Sequence, residues 1–281
     1  MEGLSGTTTM MSKFNYEAKV WGATPVRLSP FYIQGLKLQY ALDDLRLVKG
    51  KVLDIGCGGG NMAKAIKYYR PDLAVYGVDI SEKAISIAQQ NAQKVIFNVA
   101  PVEHLSFPDK TFDAVLLFDV LEHVLKPEAV LHEIHRVLKE GGVLHIFSPL
   151  DKQPLTLHWW LYLFGWKSKD KYTGHIQWFS DYRFRKLLLS HHFLISKRRF
   201  SFHPLFSLFD VFYYSFQDIV GAKQPTSLEG RLKANATIYN SIFHYFYKLI
   251  VALGYYESVL LKNFPLATGG HYTATKGSPF Y

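Results

Sequence analysis

The sequence contains a single cysteine, Cys57, among 281 residues. One thiol excludes an internal disulfide framework and a metal site built from several cysteines, and it favours a reducing compartment. Residues 1–13 hold no apolar run behind basic residues, so we expect no secretory signal and a cytoplasmic location. No apolar stretch makes a convincing membrane span, because Asp210 and Asp218 interrupt one candidate and Glu257 interrupts another.

Acidic residues are scarce in the second part of the chain. Residues 151–281 carry 16 basic and 7 acidic side chains, whereas residues 1–150 carry 16 of each. The second part also holds 30 of the 44 aromatic residues. A basic and aromatic segment indicates nucleic acid, an anionic membrane surface or an apolar substrate pocket. The hydrophobic content of 48% predicts a folded globular chain.

The first half alternates short apolar runs with helical patterns. Apolar runs of strand length occupy residues 51–55, 74–79, 95–99, 112–118 and 143–147, and helical patterns occupy residues 61–69, 81–92 and 127–140. Runs that are apolar on both faces are typical of a parallel sheet covered by helices on both sides. The pattern predicts a doubly wound α/β fold with a mainly parallel sheet.

The second half of the chain does not continue this alternation of strands and helices. We predict a partly helical lid over residues 151–174, a helix over 181–190 and a strand over 193–202. Two apolar helices, 206–219 and 238–261, then form an insertion before a closing strand at 271–276. We divide the chain into a helical or lid segment (1–50), a core (51–150), and the lid, insertion and closing strands of the same domain (151–281).

A glycine-rich turn carries the strongest chemical signal. The segment VLDIGCGGG runs from an apolar strand into Gly56, Gly58 and Gly60 and then into a helix. Glycines permit positive φ and let a ligand approach the backbone closely. Asp54, two residues before the first glycine, would repel the phosphates of a dinucleotide. The carboxylate therefore favours a ligand that carries a cation or an amine.

Two further acidic motifs follow at strand ends. Asp79 in GVDIS lies about twenty residues past the glycine turn, where a carboxylate can accept hydrogen bonds from ribose hydroxyls. The segment FDAVLLFDVLEHV is a buried strand that leads into a loop with two acids and His123. Ligands bind at this carboxyl edge in doubly wound sheets.

Together these motifs resemble the class I methyltransferases that use S-adenosylmethionine. The resemblance covers about residues 51–149 and includes VLDIGCGGG, GVDIS, LSFPDKTFDAV, LEHV, RVLKEGG and FSP. It implies a Rossmann-like methyltransferase fold with seven strands, the last of them antiparallel. It also implies that the glycines shape a loop against the methionine part, with Asp54 near its amino group. Asp79 would hold the ribose, Ile80 would pack on the adenine, and the carbonyl of Phe118 would face the amine.

The sequence departs from that family at one position. The acid that usually contacts the adenine amine is replaced by Pro101. Either a backbone group near Val102 makes this contact alone, or Glu103 substitutes for the missing acid.

The methyl acceptor is less well defined by the sequence. A hydroxyl acceptor must lose its proton, and His123 and His175 are our candidate bases because imidazole has a suitable pKa. A carbon acceptor needs neither of them. We expect no metal ion.

The aromatic second half predicts an apolar or lipid-linked acceptor. Trp159, Trp160 and Trp166, with the two apolar helices, could line its pocket. We predict O- or C-methylation of such a molecule, with an anionic membrane surface on the inner face as a further partner. The basic residues lie among apolar helices and form no groove or strand platform, which argues against nucleic acid. A scaffold without catalytic activity, which binds a protein partner or a membrane through the aromatic helices, is the alternative.

Overall fold

The computed structural model describes residues 20–22, 26–219 and 238–277. Its centre is a seven-stranded sheet, with the strands numbered here along the chain: β1 (Lys51–Ile55), β2 (Ala74–Asp79), β3 (Ile96–Val99), β4 (Phe112–Phe118), β5 (Leu138–Pro149), β6 (Phe193–Ser201) and β7 (Gly269–Lys276). The spatial order is β3-β2-β1-β4-β5-β7-β6. The strands β1 to β5 pair in parallel, and β7 pairs antiparallel with both β5 and β6.

Helices connect these strands and cover both faces of the sheet. They are α1 (Gly35–Asp44), α2 (Asn61–Tyr69), α3 (Glu82–Gln90), α4 (Pro127–Val137), α5 (Leu157–Leu163), α6 (Ser168–Thr173), α7 (Asp181–Ser190), α8 (Pro204–Ile219) and α9 (Ile238–Leu260). A short 3₁₀ turn, Leu121–His123, follows β4. Ser81 caps α3 by accepting a hydrogen bond from the N–H of Ala84 at 3.1 Å.

Two apolar cores lie on opposite faces of the sheet. Leu53 and Ile55 of β1 face one core together with side chains of α4 and α7. Val52 faces the other core, which α1, α2 and α3 cover. Adjacent β1 side chains point to opposite faces and are nearly all buried, as expected for a strand in the middle of a parallel sheet.

The predicted fold class is confirmed. The strand β7 runs antiparallel between β5 and β6, and α8 and α9 are inserted between β6 and β7. The lid contains two short helices, α5 and α6. No helix among the described residues is long and apolar enough to cross a membrane. The division into three segments stays a prediction.

The largest errors in the predicted boundaries lie at one place. The helix predicted over residues 127–140 ends at Val137, and the strand predicted over 143–147 begins at Leu138 and ends at Pro149. Leu138 pairs with Phe112 of β4, and Lys139 forms an ion pair with Asp113 at 2.7 Å. These contacts with the neighbouring strand extend the backbone at a point where the helical pattern of the sequence continues.

Candidate active site

The glycine-rich turn lies between the end of β1 and the start of α2. Gly56, Gly58 and Gly60 have φ values of 69°, 52° and 79°, in the left-handed region that favours glycine. A Cβ atom on Gly60 would also lie 2.5 Å from Cζ of Phe97. The three glycines therefore lie where the sequence predicted a tight turn, and their contact with a cofactor stays a prediction.

Asp54 lies next to the last residue of β1 and is 1% exposed. Its Oδ2 atom has no hydrogen-bond partner among the described residues. Burial, with the charge of Asp79 as a second cause, raises the pKa of Asp54 to about 8. A hydrogen bond from the backbone N–H of Ala63 lowers this pKa by a smaller amount. A buried carboxylate with one unpaired oxygen is still costly, and a cation beside it relieves that cost. The carboxyl group therefore fits an ammonium ligand.

Asp79 ends β2, beside the glycine-rich turn. Its Oδ2 accepts a hydrogen bond from the N–H of Gly58 at 2.8 Å, and its Oδ1 accepts one from the N–H of Ser81 at 2.9 Å. A carboxylate has about four acceptor positions, so each oxygen can accept one further bond. The two backbone bonds fix the carboxylate in an orientation that suits a pair of ribose hydroxyls.

Three further predicted positions lie at the ends of neighbouring strands. Ile80, directly after β2, is 40% exposed, so it offers an apolar surface on which a flat ring can pack. The side chain of Val102 is buried in the core, which leaves only its backbone for a ligand. Phe118 ends β4, and Glu103 is half-buried. Their contacts with an adenine stay predictions.

The segment Trp21–Gly22 lies against the glycine-rich turn. The N–H of Gly59 donates to the carbonyl of Trp21 at 2.7 Å, and the N–H of Asn61 donates to the carbonyl of Gly22 at 3.1 Å. The sequence analysis described this part only as a helical or lid segment and missed the contact, because no motif marks it. The segment covers one side of the turn and limits the approach to it.

The two predicted histidines lie together. His123 ends the 3₁₀ turn after β4, and His175 precedes α7. Their ring centroids are 5.0 Å apart. Nδ1 of His123 lies 3.2 Å from the carbonyl oxygen of Gly174. Burial, and then the charge of His175, lowers the pKa of His123 to about 4, so its ring is neutral at pH 7.

Asp151 holds His175 in place and was missed by the sequence analysis. Nδ1 of His175 lies 2.7 Å from Oδ2 of Asp151, and Nζ of Lys169 lies 2.9 Å from Oδ1. Burial alone would raise the pKa of Asp151, but Lys169 and His175 hold it well below its usual range. Asp151 is therefore an anion that orients the imidazole of His175.

Glu122 is a second buried acid beside this pair. It is fully buried, and neither carboxyl oxygen has a hydrogen-bond partner in the part of the chain that the structure describes. Burial, and then the charge of Asp119, raises the pKa of Glu122 well above its usual value. Asp119 itself is paired with Lys37 at 2.5 Å and has a positive φ of 56°, a rare conformation outside glycine that often marks a functional site.

The predicted residues therefore form two groups at one edge of the sheet. Asp54, the glycines and Asp79 follow β1 and β2, and the histidine pair follows β4 and β5. An edge of this kind is the ligand-binding edge of a doubly wound sheet. One group suits an amine and a ribose, and the other can take up a proton or hold a ligand through imidazole nitrogen.

The fold is that of the Rossmann-like methyltransferases. Residues 53–146 match the family model described as "Methyltransferase domain". This match confirms, over these residues, the resemblance to the class I S-adenosylmethionine-dependent methyltransferases that the sequence motifs predicted.

The curated relatives include the ubiquinone biosynthesis O-methyltransferase of Alkalilimnicola ehrlichii. It is 34% identical over 151 residues, which are 51% of this chain and 60% of the relative. The enzyme of the same name from Azotobacter vinelandii is 30% identical over 151 residues and is covered to 63%. The match thus spans less than two thirds of these relatives' length.

Solved structures support the fold. The crystal structure of the [4+2]-cyclase SpnF matches with a TM-score of 0.55 and 18% identity, and the match covers 86% of this chain and 80% of SpnF. At such identity the likeness concerns the fold alone. Since the name of SpnF describes a cyclase, the reaction must be argued from the residues of the site.

Proposed function

We propose that this protein transfers a methyl group from S-adenosylmethionine to an oxygen atom of an apolar, lipid-linked small molecule. The observation that carries the proposal is the buried His175–Asp151 pair at the same sheet edge as the glycine-rich turn and Asp79. The relatives named for ubiquinone biosynthesis support an acceptor related to a quinone precursor.

The first group of residues would hold the cofactor, which supplies an electrophilic methyl group on a sulfonium sulfur. Asp54 would neutralise the ammonium group, and Asp79 would accept bonds from both ribose hydroxyls. Ile80 would pack on the adenine, and backbone atoms of Val102 and Phe118 would contact its edge or the amine. Gly56, Gly58 and Gly60 would let the methionine part approach the turn.

The second group would prepare the acceptor hydroxyl. The His175 Nδ1–H donates to Asp151, so Nε2 carries the lone pair that can accept the hydroxyl proton. The anionic Asp151 stabilises the imidazolium that results. His123, which is neutral at pH 7, is the second candidate base. His175 and Asp151 are largely buried, which would limit the access of water while the site aligns donor and acceptor.

The helices α8 and α9, which we assign to the binding of the methyl acceptor, present apolar side chains to the solvent. Exposed residues recur along one side of α8 and of α9: Leu208, Phe212, Phe216, Ile219, Leu249, Leu253, Tyr256 and Leu260. Trp160 of the lid is also exposed, and Trp166 binds Ser215 of α8 through Nε1 at 2.9 Å. The lid and α8 are thus joined, and they would guide an apolar acceptor to the histidines.

We assign this apolar surface to an anionic membrane. The net charge of residues 151–281 is 16 − 7 = +9, and Lys167 and Lys262 are exposed near α8 and α9. Apolar side chains flanked by lysines bind anionic bilayers by burial and by charge. The protein would then act at the cytoplasmic face, where a lipid-linked acceptor is dissolved.

Vesicle flotation tests the membrane part of the proposal. The full chain should float with phosphatidylglycerol vesicles at low salt, and the doubly substituted Phe212→Asp, Ile219→Asp protein should not. Leu47→Asp is the matched control, because Leu47 is 81% exposed in a different part of the molecule. A chain that stays at the bottom of the gradient at low salt contradicts the membrane assignment.

Calorimetry with S-adenosylmethionine tests the cofactor part. Asp79→Ala should weaken binding about 10- to 100-fold, the loss expected for hydrogen bonds to a charged group. Glu82→Ala, an exposed acid in the first turn of α3, should bind as the natural protein does. If the natural chain does not bind S-adenosylmethionine, the proposal fails and the scaffold alternative is favoured.

A further inference from the structure

A buried lysine of the lid lies between the acid behind His175 and the inserted helix α8. Nζ of Lys169, on α6, lies 2.9 Å from Oδ1 of Asp151 and 3.4 Å from Oδ2 of Asp210 on α8. The side chains of Lys169, Asp151 and Asp210 are 13%, 10% and 22% exposed. A lysine buried this deeply normally needs a carboxylate partner, and Lys169 has two. The proposed function uses Asp151 and does not use Asp210.

The ammonium and the two carboxylates keep one another ionised. Burial alone would lower the pKa of Lys169, but the charges of Asp151 and Asp210 raise it above its usual value. Burial alone would raise the pKa of Asp210, but Lys169 and His158 lower it. Because Lys169 balances the charge of Asp151, His175 can donate its Nδ1–H to that carboxylate without holding a second proton.

Asp210 fixes this ammonium to α8. Nε2 of His158 in α5 lies 3.1 Å from Oδ2 of Asp210, and it donates the hydrogen bond because a carboxylate can only accept. Leu208 and Phe212 of the same helix are exposed, on the surface that we assign to the membrane. Residues two apart on a helix point to nearly opposite sides. The helix α8 therefore has a charged contact with the lid behind its apolar outer surface.

We propose that Lys169 is a positioning residue that makes the state of His175 depend on the position of α8. Lys169 holds Asp151 ionised behind the imidazole and joins it to Asp210, so a shift of α8 away from the lid weakens the support of His175. The use of His175 as a base rests on the proposed function, whereas the link from α8 to His175 does not.

The neighbouring Lys171 gives a matched control. It lies on the same helix α6 and pairs with Asp218 of α8 at 3.0 Å, but its side chain is 62% exposed. Both lysines thus join the lid to α8, and of the two it is Lys169 that pairs with Asp151. If Lys169 only joined the two elements, its loss would lower stability and leave the state of His175 unchanged.

Nitrogen-15 NMR of the histidine rings tests the proposal on the full chain without cofactor or acceptor. At pH 8 we expect His175 of the natural protein to carry one proton, on Nδ1. In Lys169→Met two buried carboxylates remain without their ammonium, so His175 should take up a second proton and give the imidazolium spectrum. Lys171→Met should keep the natural spectrum. His175→Gln assigns the resonances, and His132, an exposed residue of α4, serves as the internal reference.

Turnover with a long-chain alkylcatechol as methyl acceptor is the second measurement. Lys169→Met should lower kcat about 10- to 100-fold, the loss expected when a reacting group is displaced by about 1 Å. Asp210→Asn should lower kcat less, and Asp218→Asn should keep the natural value. The affinity for S-adenosylmethionine, measured by calorimetry, should stay unchanged in all three variants, which also shows that they fold.

The outcomes separate this proposal from the proposed function. A natural His175 spectrum in a Lys169→Met protein that binds S-adenosylmethionine overturns the positioning role. If Lys169→Met does not fold, Asp210→Asn decides, because the Nδ1 proton of His175 should then exchange with water faster than in Asp218→Asn, and equal rates overturn the proposal. The expected spectra in a chain that methylates no alkylcatechol support the link to α8 and contradict the proposed function alone.

Discussion

Two buried aspartates, Asp44 and Asp54, have opposite surroundings. Asp44 ends α1 and binds Nδ1 of His145 at 2.7 Å, Oγ1 of Thr273 at 2.6 Å and the guanidinium of Arg199. Asp54 lies in β1 beside the glycine-rich turn, and its Oδ2 has no hydrogen-bond partner among the described residues. Asp44 thus joins α1 to β5, β6 and β7, whereas one carboxyl oxygen of Asp54 stays unpaired.

The pKa values of the two acids follow this difference. Burial tends to raise both, but His145, Thr273 and Arg199 hold the pKa of Asp44 well below its usual range. Burial and the charge of Asp79 raise the pKa of Asp54 to about 8. A buried carboxylate whose oxygens are paired with donors or cations stabilises the fold. A buried carboxylate with an unpaired oxygen destabilises the fold until a ligand binds. Asp54 and Glu122, which lie at the carboxyl edge of the sheet and have carboxyl oxygens without a partner among the described residues, therefore indicate where ligands bind.

Asp151→Asn should produce the largest effect of all the substitutions. Asp151 is paired with His175 and Lys169, as Asp44 is paired with its neighbours, but it also lies at the candidate active site. The amide cannot stabilise an imidazolium at His175 and favours the wrong tautomer, so we expect kcat to fall about 10²- to 10⁴-fold. The affinity for S-adenosylmethionine, measured by calorimetry, should stay unchanged. Unchanged turnover would remove Asp151 from the mechanism, and His132→Gln serves as the control.

Asp44→Asn should have the next largest effect, on stability. Removing the charge leaves Arg199 buried without its main partner, and breaking a buried ion pair costs about 3–5 kcal/mol. Denaturant unfolding at pH 7 measures the loss. Since the pKa of Asp44 is lowered in the folded state, its contribution is present above the unfolded pKa and is lost as the pH falls through the folded pKa. The difference in unfolding free energy between the natural protein and Asp44→Asn should therefore decrease at acidic pH.

A control for this prediction is Asp43→Asn. The side chain of Asp43 is more than half exposed, and its oxygen lies 3.7 Å from Arg199, so this change should cost less than about 1 kcal/mol. An equal loss for both variants would contradict the view that burial and direct pairing make Asp44 important.

Gly60→Ala should destabilise the protein more than Gly141→Ala does. Both glycines have positive φ, 79° and 70°, so both changes cost about 1–2 kcal/mol in backbone strain. At Gly60 the new Cβ would lie 2.5 Å from the ring of Phe97, whereas at Gly141 it would have no neighbouring side chain or backbone atom of the described residues within 4 Å. Overpacking adds about 1–3 kcal/mol at Gly60. Thermal unfolding of the two variants measures the difference, and equal losses would contradict the tight turn.

The sequence predicts most of the sheet because the strands are local apolar runs. The predicted bounds of β1, β2 and β4 match the structure, and the helical pattern predicted over 81–92 corresponds to α3 with its cap Ser81. The end of α4 could not be predicted, because the pairing of Leu138 with Phe112 is a contact between distant parts of the chain. Tertiary pairing overrides a local helical pattern at this point.

The site could be predicted only in part for the same reason. Motifs mark Asp54, Asp79 and His123, but the partner of a side chain is a property of the fold. The sequence shows Glu122 in the motif LEHV without showing that its carboxyl group is buried and unpartnered. It also gives no sign that Asp151 lies behind His175. The local sequence pattern thus predicts where a site residue lies in the chain. The fold determines its hydrogen-bond partners and its ionisation state.

Asp54→Asn should change stability less than Asp44→Asn does, and with the opposite sign. The pKa of Asp54 is near 3.8 in the unfolded chain and about 8 in the folded protein. Between these values folding takes up a proton, so stability falls as the pH rises, and above pH 8 the full penalty remains. The asparagine removes the penalty and should stabilise the cofactor-free protein by about 1–3 kcal/mol at pH 9.

The same substitution should weaken the binding of S-adenosylmethionine, because the amide cannot neutralise an ammonium group. Denaturant unfolding at pH 5 and pH 9, with and without the cofactor, separates the two effects. The stabilisation should be larger at pH 9 than at pH 5, and it should shrink when the cofactor is added. If Asp54→Asn destabilises the cofactor-free protein at pH 9, the fold stabilises the carboxylate by more than the one hydrogen bond from Ala63, and the contrast with Asp44 no longer holds.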